Sequence, residues 1–297
     1  MPIALQARQL TKRYGDFTAL DAVTLTVQTG DVYGLVGRNG AGKTTFFKCL
    51  LGLAKPSGGT IAIGPGGDLN AARAGIGFMI NPSFFGYLSA ADNLEYVRRA
   101  RGIGSRAEVP GLLKLVGLDG VKQPFKAFSM GMKQRLGIAA ALLGSPDVVV
   151  LDEPINGLDP QGIMEMRDVI RDANQKMGAT VVVSSHILSE LDLVATRFGF
   201  IERGKLVQEI THDDLHEHTQ ASLVIEVDDV ARARSVVAAM GLTDLSSDEH
   251  RMTIKSPVER PAALTRALVE AGVGVSDLHR QSVTLEEYFV QLVGGAK

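Results

Sequence analysis

Residues 37–45 of this chain read GRNGAGKTT and match the phosphate-binding loop pattern G-x-x-x-x-G-K-[ST] in full. The apolar run at residues 32–36 predicts a buried parallel strand before the loop, and residues 43–51 predict a helix after it. Glycines let such a loop wrap tightly, so that successive N–H groups and the helix N-terminus point at phosphate oxygens. This order of strand, loop and helix predicts an α/β domain that binds a phosphorylated ligand.

Two side chains at the end of the loop suit a nucleotide with a bound metal. Lys43 is expected to neutralise the β- and γ-phosphates, and the Thr44 hydroxyl is expected to ligate Mg²⁺. The remaining nucleotide contacts expected in the loop are Gly37, Asn39, Gly40, Gly42 and Thr45.

The composition limits the class of protein, its kinds of partner and its cellular compartment. A hydrophobic fraction of 45% and a charged fraction of 22% are ordinary for a globular protein, and a net charge of −2 gives no electrostatic reason to expect a nucleic-acid partner. The single cysteine, Cys49, excludes a disulfide framework and suits a reducing cytoplasm. No apolar run approaches the roughly 20 residues that span a bilayer, and the N-terminus does not resemble a signal peptide. Any work at a membrane is therefore expected to require a partner.

The pattern along the chain predicts two domains. Residues 1–217 are expected to form the nucleotide-binding domain, with a helical subdomain at about residues 90–145. The polar stretch Thr211–Gln220 is interpreted as a linker. Strands and helices alternate in residues 221–297, which predicts a small α+β domain of the split-βαβ kind.

An acidic pair ends a second Val-rich strand. Residues 147–151 predict a buried strand, and Asp152 and Glu153 follow it, at the sheet edge where open α/β sheets bind ligands. Asp152 would hold Mg²⁺ through water, and Glu153 would orient or deprotonate an attacking water. The plainer interpretation is a pair of acids that cap the next helix.

A histidine ends a third strand. Residues 180–184 are again rich in valine, and His186 follows shortly after them. A neutral imidazole at this edge could donate a hydrogen bond to a γ-phosphate oxygen. An isolated histidine is more often an ordinary surface or core residue, so this prediction depends on the neighbouring motifs.

A second anion site is predicted upstream of the acidic strand. Ser129 is a good N-cap for a helix that runs to Leu143, and its hydroxyl, the Gly131 backbone and the helix dipole together favour an anion. One nucleotide on one chain does not need two phosphate sites. Two chains packed head to tail would use both of them.

With these motifs in this order, the chain resembles the nucleotide-binding subunit of ATP-binding cassette (ABC) transporters. The resemblance covers roughly residues 3–215. It implies a P-loop NTPase fold with a RecA-like core, an N-terminal antiparallel β subdomain and a helical subdomain. The signature loop departs from the family's usual Leu-Ser-Gly-Gly-Gln at Met130 and Met132. This form is similar to the ABC-2 exporter branch, which includes bacitracin- and lantibiotic-type efflux and immunity subunits.

The resemblance also assigns roles to three further residues. Asp159 lies in a segment that resembles the family's D-loop, at the dimer seam, and Tyr14 matches the aromatic residue that stacks on adenine. Asn81 takes the place of the family's Q-loop glutamine, which contacts Mg²⁺. Asparagine has the same amide but one methylene fewer, so its reach to the metal is shorter.

The resemblance implies an ATPase that works as a homodimer. ATP binding would close the dimer, and hydrolysis by Glu153, sensed by His186, would reopen it. The motion would pass to a separate membrane permease through the apolar segment after Asn81, at residues 84–88. The ATPase would lie in the cytoplasm at the inner face of the cell membrane, contact the membrane only through the permease, and leave the choice of drug, peptide antibiotic or lipid cargo to it.

Two other classes of nucleotide-binding protein also carry a phosphate loop. A soluble ABC ATPase of translation or DNA repair usually carries tandem cassettes or a long inserted coiled coil, and this chain has one cassette and no long heptad segment. A P-loop kinase or GTPase would not need the second anion site at Ser129. GTPases also carry a base-reading N-K-x-D motif, which is absent from this sequence.

Overall fold

The computed structural model describes residues 2–64, 68–103, 105–219, 222–242, 245–254, 261–281 and 283–294. It divides into two compact units, of which the first comprises Met1–His212 with Leu292–Lys297 and the second Asp213–Gln291. The strands are β1 Ile3–Tyr14, β2 Phe17–Gln28, β3 Val32–Val36, β4 Gly58–Ile63, β5 Ile76–Met79, β6 Val148–Leu151, β7 Thr180–Ser185, β8 Arg197–Glu202, β9 Lys205–Thr211, β10 Ser222–Val227, β11 Leu245–Ser247, β12 Arg251–Ile254 and β13 Val275–Gln281.

The helices are α1 Lys43–Leu50, α2 Leu69–Ala74, α3 Ala90–Ala100, α4 Glu108–Leu115, α5 Met130–Leu142, α6 Pro160–Gln175, α7 Leu188–Asp192, α8 His212–Thr219, α9 Val230–Ala239, α10 Pro261–Glu270 and α11 Leu285–Gly294. Among the residues that the structure describes, none of these helices is both long and apolar enough to cross a bilayer.

The first unit is built around a six-stranded sheet of order β5-β6-β7-β3-β8-β9. The pairs from β5 to β8 are parallel, and β9 joins the edge as the antiparallel partner of β8. All residues of β3, β6 and β7 are buried. The apolar residues of β3 and the valine runs of β6 and β7 therefore match strands covered on both faces, as the sequence predicts.

A separate antiparallel sheet of order β2-β1-β4 forms the N-terminal part of the first unit. The long hairpin of β1 and β2 agrees with the predicted N-terminal strands, and β4 is an addition to the prediction. The sequence of β4, GGTIAI, begins with two glycines and lacks the polar–apolar alternation that marks a half-buried strand. This strand is therefore defined by its hydrogen-bonded pairing with β1 and not by its own sequence pattern.

The second unit contains a four-stranded antiparallel sheet of order β11-β12-β10-β13. With α9 and α10, it gives the βαββαβ order of a split-βαβ fold, which confirms that prediction. The apolar face of β10 packs with both helices in one core, which contains Ile225, Val237 and Leu264.

Two local features at this end of the chain are additions to the prediction. The first is the three-residue strand β11, which is too short to carry a periodic signal. The second is the helix α8 over His212–Thr219, which lies in the polar stretch Thr211–Gln220 together with the boundary between the two units; residue 220 lies outside the described residues. A polar helix of this kind has a weak apolar pattern, because Leu215 is its one buried residue.

Close packing of α5 on β5 fixes the signature helix against the parallel sheet. A methyl group on Gly77 of β5 would overlap the carbonyl oxygen of Ala141 in α5. A methyl group on Gly137 of α5 would meet the Met79 sulfur at 2.6 Å. Glycine at both positions lets the helix backbone and the strand approach directly.

We predict that Gly77→Ala destabilises the protein by about 1–3 kcal/mol, since overpacking a dense contact forces backbone shifts. Urea unfolding measures the change. Gly111→Ala is the matched control, because Gly111 is exposed on α4 with open space around it. Alanine there should raise stability by about 0.5–1 kcal/mol. Equal effects of the two substitutions would contradict this account of the packing.

Candidate functional site

The predicted functional residues meet at the carboxyl ends of neighbouring strands. β3 leads into the phosphate loop, and β6 ends directly before Asp152 and Glu153. His186 follows β7, and Asn81 lies two residues beyond β5. Because these strands are parallel, all four segments emerge at the same edge of the sheet.

The phosphate loop has a backbone that requires glycine. Gly40 and Gly42 have φ angles of +83° and +115°, in the region that side chains disfavour. A methyl group on Gly37 would overlap the carbonyl oxygen of Ile201, so the start of the loop lies directly on β8. Gly42 is the N-cap of α1 and offers no side-chain cap. The first N–H groups of α1 are thus suited to an anion.

Lys43 places its ammonium inside this loop. The side chain is only 5% exposed, and Nζ donates to the carbonyl oxygens of Gly37 and Arg38, the latter at 3.2 Å. Nζ also lies 3.0 Å from Oε1 of Glu153. A buried cation needs such compensation, and these oxygens supply it.

A second group of contacts joins the phosphate loop to the acidic strand. The Thr44 hydroxyl donates to Oδ2 of Asp152 at 2.7 Å, and the Ser184 hydroxyl donates to Oδ1 of the same carboxylate at 2.7 Å. Ser184 is fully buried and also accepts a hydrogen bond from the Glu153 backbone N–H at 2.9 Å. The structure therefore adds Ser184 to the predicted site, where a serine just before the candidate histidine was the available signal.

Glu153 stands between the phosphate loop and His186. Its Oε2 lies 2.9 Å from Nδ1 of His186, and its Oε1 faces Lys43. The backbone of Glu153 has φ +49°, which is uncommon for a residue with a side chain and is concentrated at functional sites. This conformation turns the chain at the end of β6 and keeps the carboxylate beside the loop.

Asn81 follows the neighbouring strand β5 and adopts the same backbone conformation as Glu153, with φ +46°. Met79 pairs with Leu151, so Asn81 and Glu153 each lie two residues beyond the paired ends. Asparagine tolerates this left-handed region better than most residues with side chains. The structure thus gives a backbone reason for asparagine where the resemblance implies glutamine.

Tyr14 ends β1 and is 48% exposed. The Lys12 ammonium lies 4.6 Å from the ring centroid and covers one face. A base stacked on Tyr14 would therefore use the opposite face.

The second predicted anion site lies in a different cleft. Ser129 caps α5 by accepting from the Met132 N–H at 3.3 Å, which confirms the predicted N-cap. Asp159 caps α6 by accepting from the Gly162 N–H at 2.9 Å. Residues 129–131 and 157–159 line one cleft of about 400 Å³, and no residue of the phosphate loop is among its lining residues within the described chain. One copy therefore keeps the two sites apart.

An acid that the sequence did not single out lies near the histidine. Burial raises the pKa of the Glu190 carboxyl above its ordinary value, His186 and Arg167 oppose that shift, and Glu153 adds to it. Glu190 is on α7, four residues after His186, which lies before the helix. Its short separation from the candidate histidine along the chain was the signal for it in the sequence.

Comparison with known proteins agrees with this geometry. Residues 20–156 match the ABC transporter family. Over 99% of its length the chain is 35% identical to the bacitracin transport ATP-binding protein BcrA of Enterococcus faecalis and 38% identical to that of Bacillus licheniformis, covering 98% and 99% of those proteins. The chain belongs to the ATP-binding subunits of ABC transporters. It is therefore an ATP-binding protein and an ATPase.

Further relatives of this ABC ATPase agree. It is 44% identical to the lantibiotic transport ATP-binding protein SrtF of Streptococcus pyogenes, over 70% of this chain and 91% of that protein. A solved ATP-binding subunit of an ABC transporter superposes with a TM-score of 0.63 at 30% identity, over 72% of this chain and 92% of that one. A bacterial ABC transporter cassette solved as a dimer superposes with a TM-score of 0.63 at 25% identity, over 70% of this chain and 98% of that one.

We predict that Ser184→Ala lowers the free energy of unfolding by about 1–3 kcal/mol, since it leaves the buried Glu153 N–H without its acceptor. It should also slow ATP hydrolysis, because Asp152 and Glu153 both lose the hydroxyl that positions them. Ser185→Ala is the control, as that buried hydroxyl accepts from the Ile187 N–H instead. Urea unfolding and phosphate release give the two values. Equal loss of activity in both variants would contradict the positioning role.

Proposed function

We propose that this chain is the ATP-hydrolysing subunit of an ABC-2 type exporter, in which two copies enclose two ATP–Mg²⁺ and drive a separate membrane permease. The arrangement that carries the proposal is Glu153, held between Lys43 and His186, on a chain with a second anion cleft at Ser129. We further propose residues 1–217 as the ATP-binding domain and residues 221–297 as an accessory domain that stabilises or regulates the dimer.

The residues present fit a magnesium ion. The Thr44 hydroxyl and the Asp152 carboxylate are hard oxygen donors held 2.7 Å apart beside the phosphate loop, and Mg²⁺ prefers such ligands together with phosphate oxygens. Thr44 would bind the ion directly, Asp152 through water, and the Asn81 amide is the third candidate. When bound, the ion neutralises charge on the phosphates.

Binding of ATP would rearrange the partners of Lys43. The β- and γ-phosphates would replace the Glu153 carboxylate beside Nζ, while the glycines, Asn39, Thr45 and the N-terminus of α1 supply N–H donors. Tyr14 would stack on the adenine with the face opposite Lys12. The exchange releases the carboxylate at the moment when the γ-phosphate arrives.

The released Glu153 would then act as the general base. Its backbone N–H remains held by Ser184, and its Oε2 faces His186. The carboxylate would accept a proton from the attacking water, and His186 would donate to a γ-phosphate oxygen. Catalysis in this site is positioning and charge neutralisation, with no covalent intermediate.

A second copy would complete each site. Ser129 and Gly131 of one copy would approach the phosphates bound to the other, and Asp159 would lie at the seam between copies. The dimeric solved relative supports this assembly. Closure around ATP and opening after hydrolysis would be the motion passed to the permease.

The proposed permease contact follows Asn81 directly. The Phe85 ring packs edge-on against Tyr96 at 4.7 Å and lies 5.9 Å from Tyr87, whose side chain is 75% exposed. Exposed aromatic clusters of this kind mark interaction sites. The occupant would be a cytoplasmic helix of the permease, and the ATPase would then lie at the inner face of the membrane. The names of the bacitracin and lantibiotic relatives support a peptide antibiotic as the exported cargo.

Glu153→Gln should retain ATP binding and slow hydrolysis by about 10²–10⁴-fold, the range for loss of a general base. Lys43→Ala, the comparison variant, should weaken nucleotide binding by roughly ten- to a hundredfold through loss of a charged partner. Phosphate release and equilibrium nucleotide binding separate the two effects. Wild-type turnover in Glu153→Gln would remove Glu153 from its assigned role.

Tyr87→Lys should abolish recovery of the permease without changing the ATPase rate of the isolated chain, because a desolvated charge would disfavour the apolar contact. Leu53→Lys is the control, since Leu53 is comparably exposed elsewhere on the first unit. The measurement is mass spectrometry of proteins that co-purify from gently solubilised native membranes. A stoichiometric polytopic partner, lost only in Tyr87→Lys, is the expected result. Recovery with ribosomes or DNA instead would contradict the exporter assignment.

A further inference from the structure

A buried amide links the signature helix to the D-loop. Gln134 lies on α5, five residues after Ser129, and is only 8% exposed. Its Nε2 donates to the backbone carbonyl oxygen of Asn156 at 3.0 Å. Its Oε1 is buried and has no hydrogen-bond donor among the residues that the structure describes.

The orientation of this amide follows from its partner. A reversed amide would place Oε1 against the Asn156 carbonyl oxygen, and two acceptors repel each other. With Nε2 on Asn156, the orphaned Oε1 costs stability, because a buried polar atom without a partner loses its hydration. Methionine would fill the same space without that cost, so packing alone does not explain a glutamine at this position.

A second hydrogen bond connects Asn156 to Glu153, the candidate catalytic residue. The Asn156 backbone N–H donates to the carbonyl oxygen of Glu153 at 3.3 Å. Two hydrogen bonds and the Asn156 peptide units between them therefore connect Gln134 to Glu153. A methyl group on Gly131 would lie 3.5 Å from the Leu158 side chain, so the loop at Ser129 also packs near this segment.

We propose that Gln134 is a positioning residue that couples the signature loop of each copy to its own Glu153. The proposal rests on the proposed function, in which that loop acts on the nucleotide of the second copy. Movement of α5 when the loop engages that nucleotide would shift Asn156 through Gln134, and with it the turn that carries Glu153. The two ATP sites would thereby hydrolyse cooperatively.

A neighbouring contact provides the control. Asp168 and Arg171 form an ion pair at 2.7 Å on α6, and neither residue lines the cleft at Ser129. Within the described residues, this pair makes no hydrogen bond to Asn156 or Glu153. Asp168→Asn weakens the ion pair and leaves the Gln134 hydrogen bond in place.

The test uses the full chain with Gln134→Met, with ADP as the binding probe and steady-state ATP hydrolysis as the readout. ADP binding should stay close to wild type, because the phosphate loop is untouched, and the melting temperature should not fall, because methionine removes the orphaned Oε1. The Hill coefficient for ATP should fall towards 1, and kcat should fall by about tenfold, as expected for the loss of one positioning hydrogen bond. Asp168→Asn should keep both values.

Wild-type kcat and cooperativity in Gln134→Met would overturn the proposal and leave Gln134 a packing residue. The same conclusion follows if Asp168→Asn lowers both values equally. Gln134→Leu, which likewise removes the amide donor, is measured in the same assays if Gln134→Met fails to bind ADP, and wild-type kcat and cooperativity in that variant overturn the proposal as well. A wild-type chain that hydrolyses ATP without cooperativity or ATP-driven dimerisation would instead contradict the proposed function.

Discussion

The buried ammonium of Lys43 is the interaction on which the site depends. A lysine that is removed from water must be surrounded by acceptors, and here they are the carbonyl oxygens of the phosphate loop and the Glu153 carboxylate. The contact between Lys43 and Glu153 thereby holds the segment after β6 beside the phosphate loop that follows β3. It also explains how phosphate binding and activation of Glu153 can be one event, because a phosphate and a carboxylate compete for the same cation.

Much of this arrangement is predictable because its signals are local. The glycine pattern at residues 37–45, the valine runs of β6 and β7 and the helix cap at Ser129 each depend on a few adjacent residues. Once parallel strands are recognised, their carboxyl ends must meet at one edge. The grouping of Lys43 with Glu153 follows from that topology alone.

What escaped prediction depends on distant partners or on weak patterns. Ser184 matters because of its hydrogen bonds to Asp152 and Glu153, some thirty positions away in the sequence. The strand β4 is defined by its pairing with β1, and the helix α8 buries one residue and so lacks an apolar stripe. The amide of Gln134 looks like an ordinary polar helix residue until its contact with Asn156 is known.

In the proposed dimer, the phosphate loop of one copy lies against the signature loop of the other. Cross-linking two singly substituted chains, Arg38→Cys and Met130→Cys, tests it directly, since both side chains are exposed. The native Cys49 side chain is fully buried, and this burial raises the pKa of its thiol, which disfavours the reactive thiolate. In a Glu153→Gln background, a short thiol cross-linker should join the two different chains only when ATP is present. Cross-linking that is absent, or equal with and without ATP, would contradict the account.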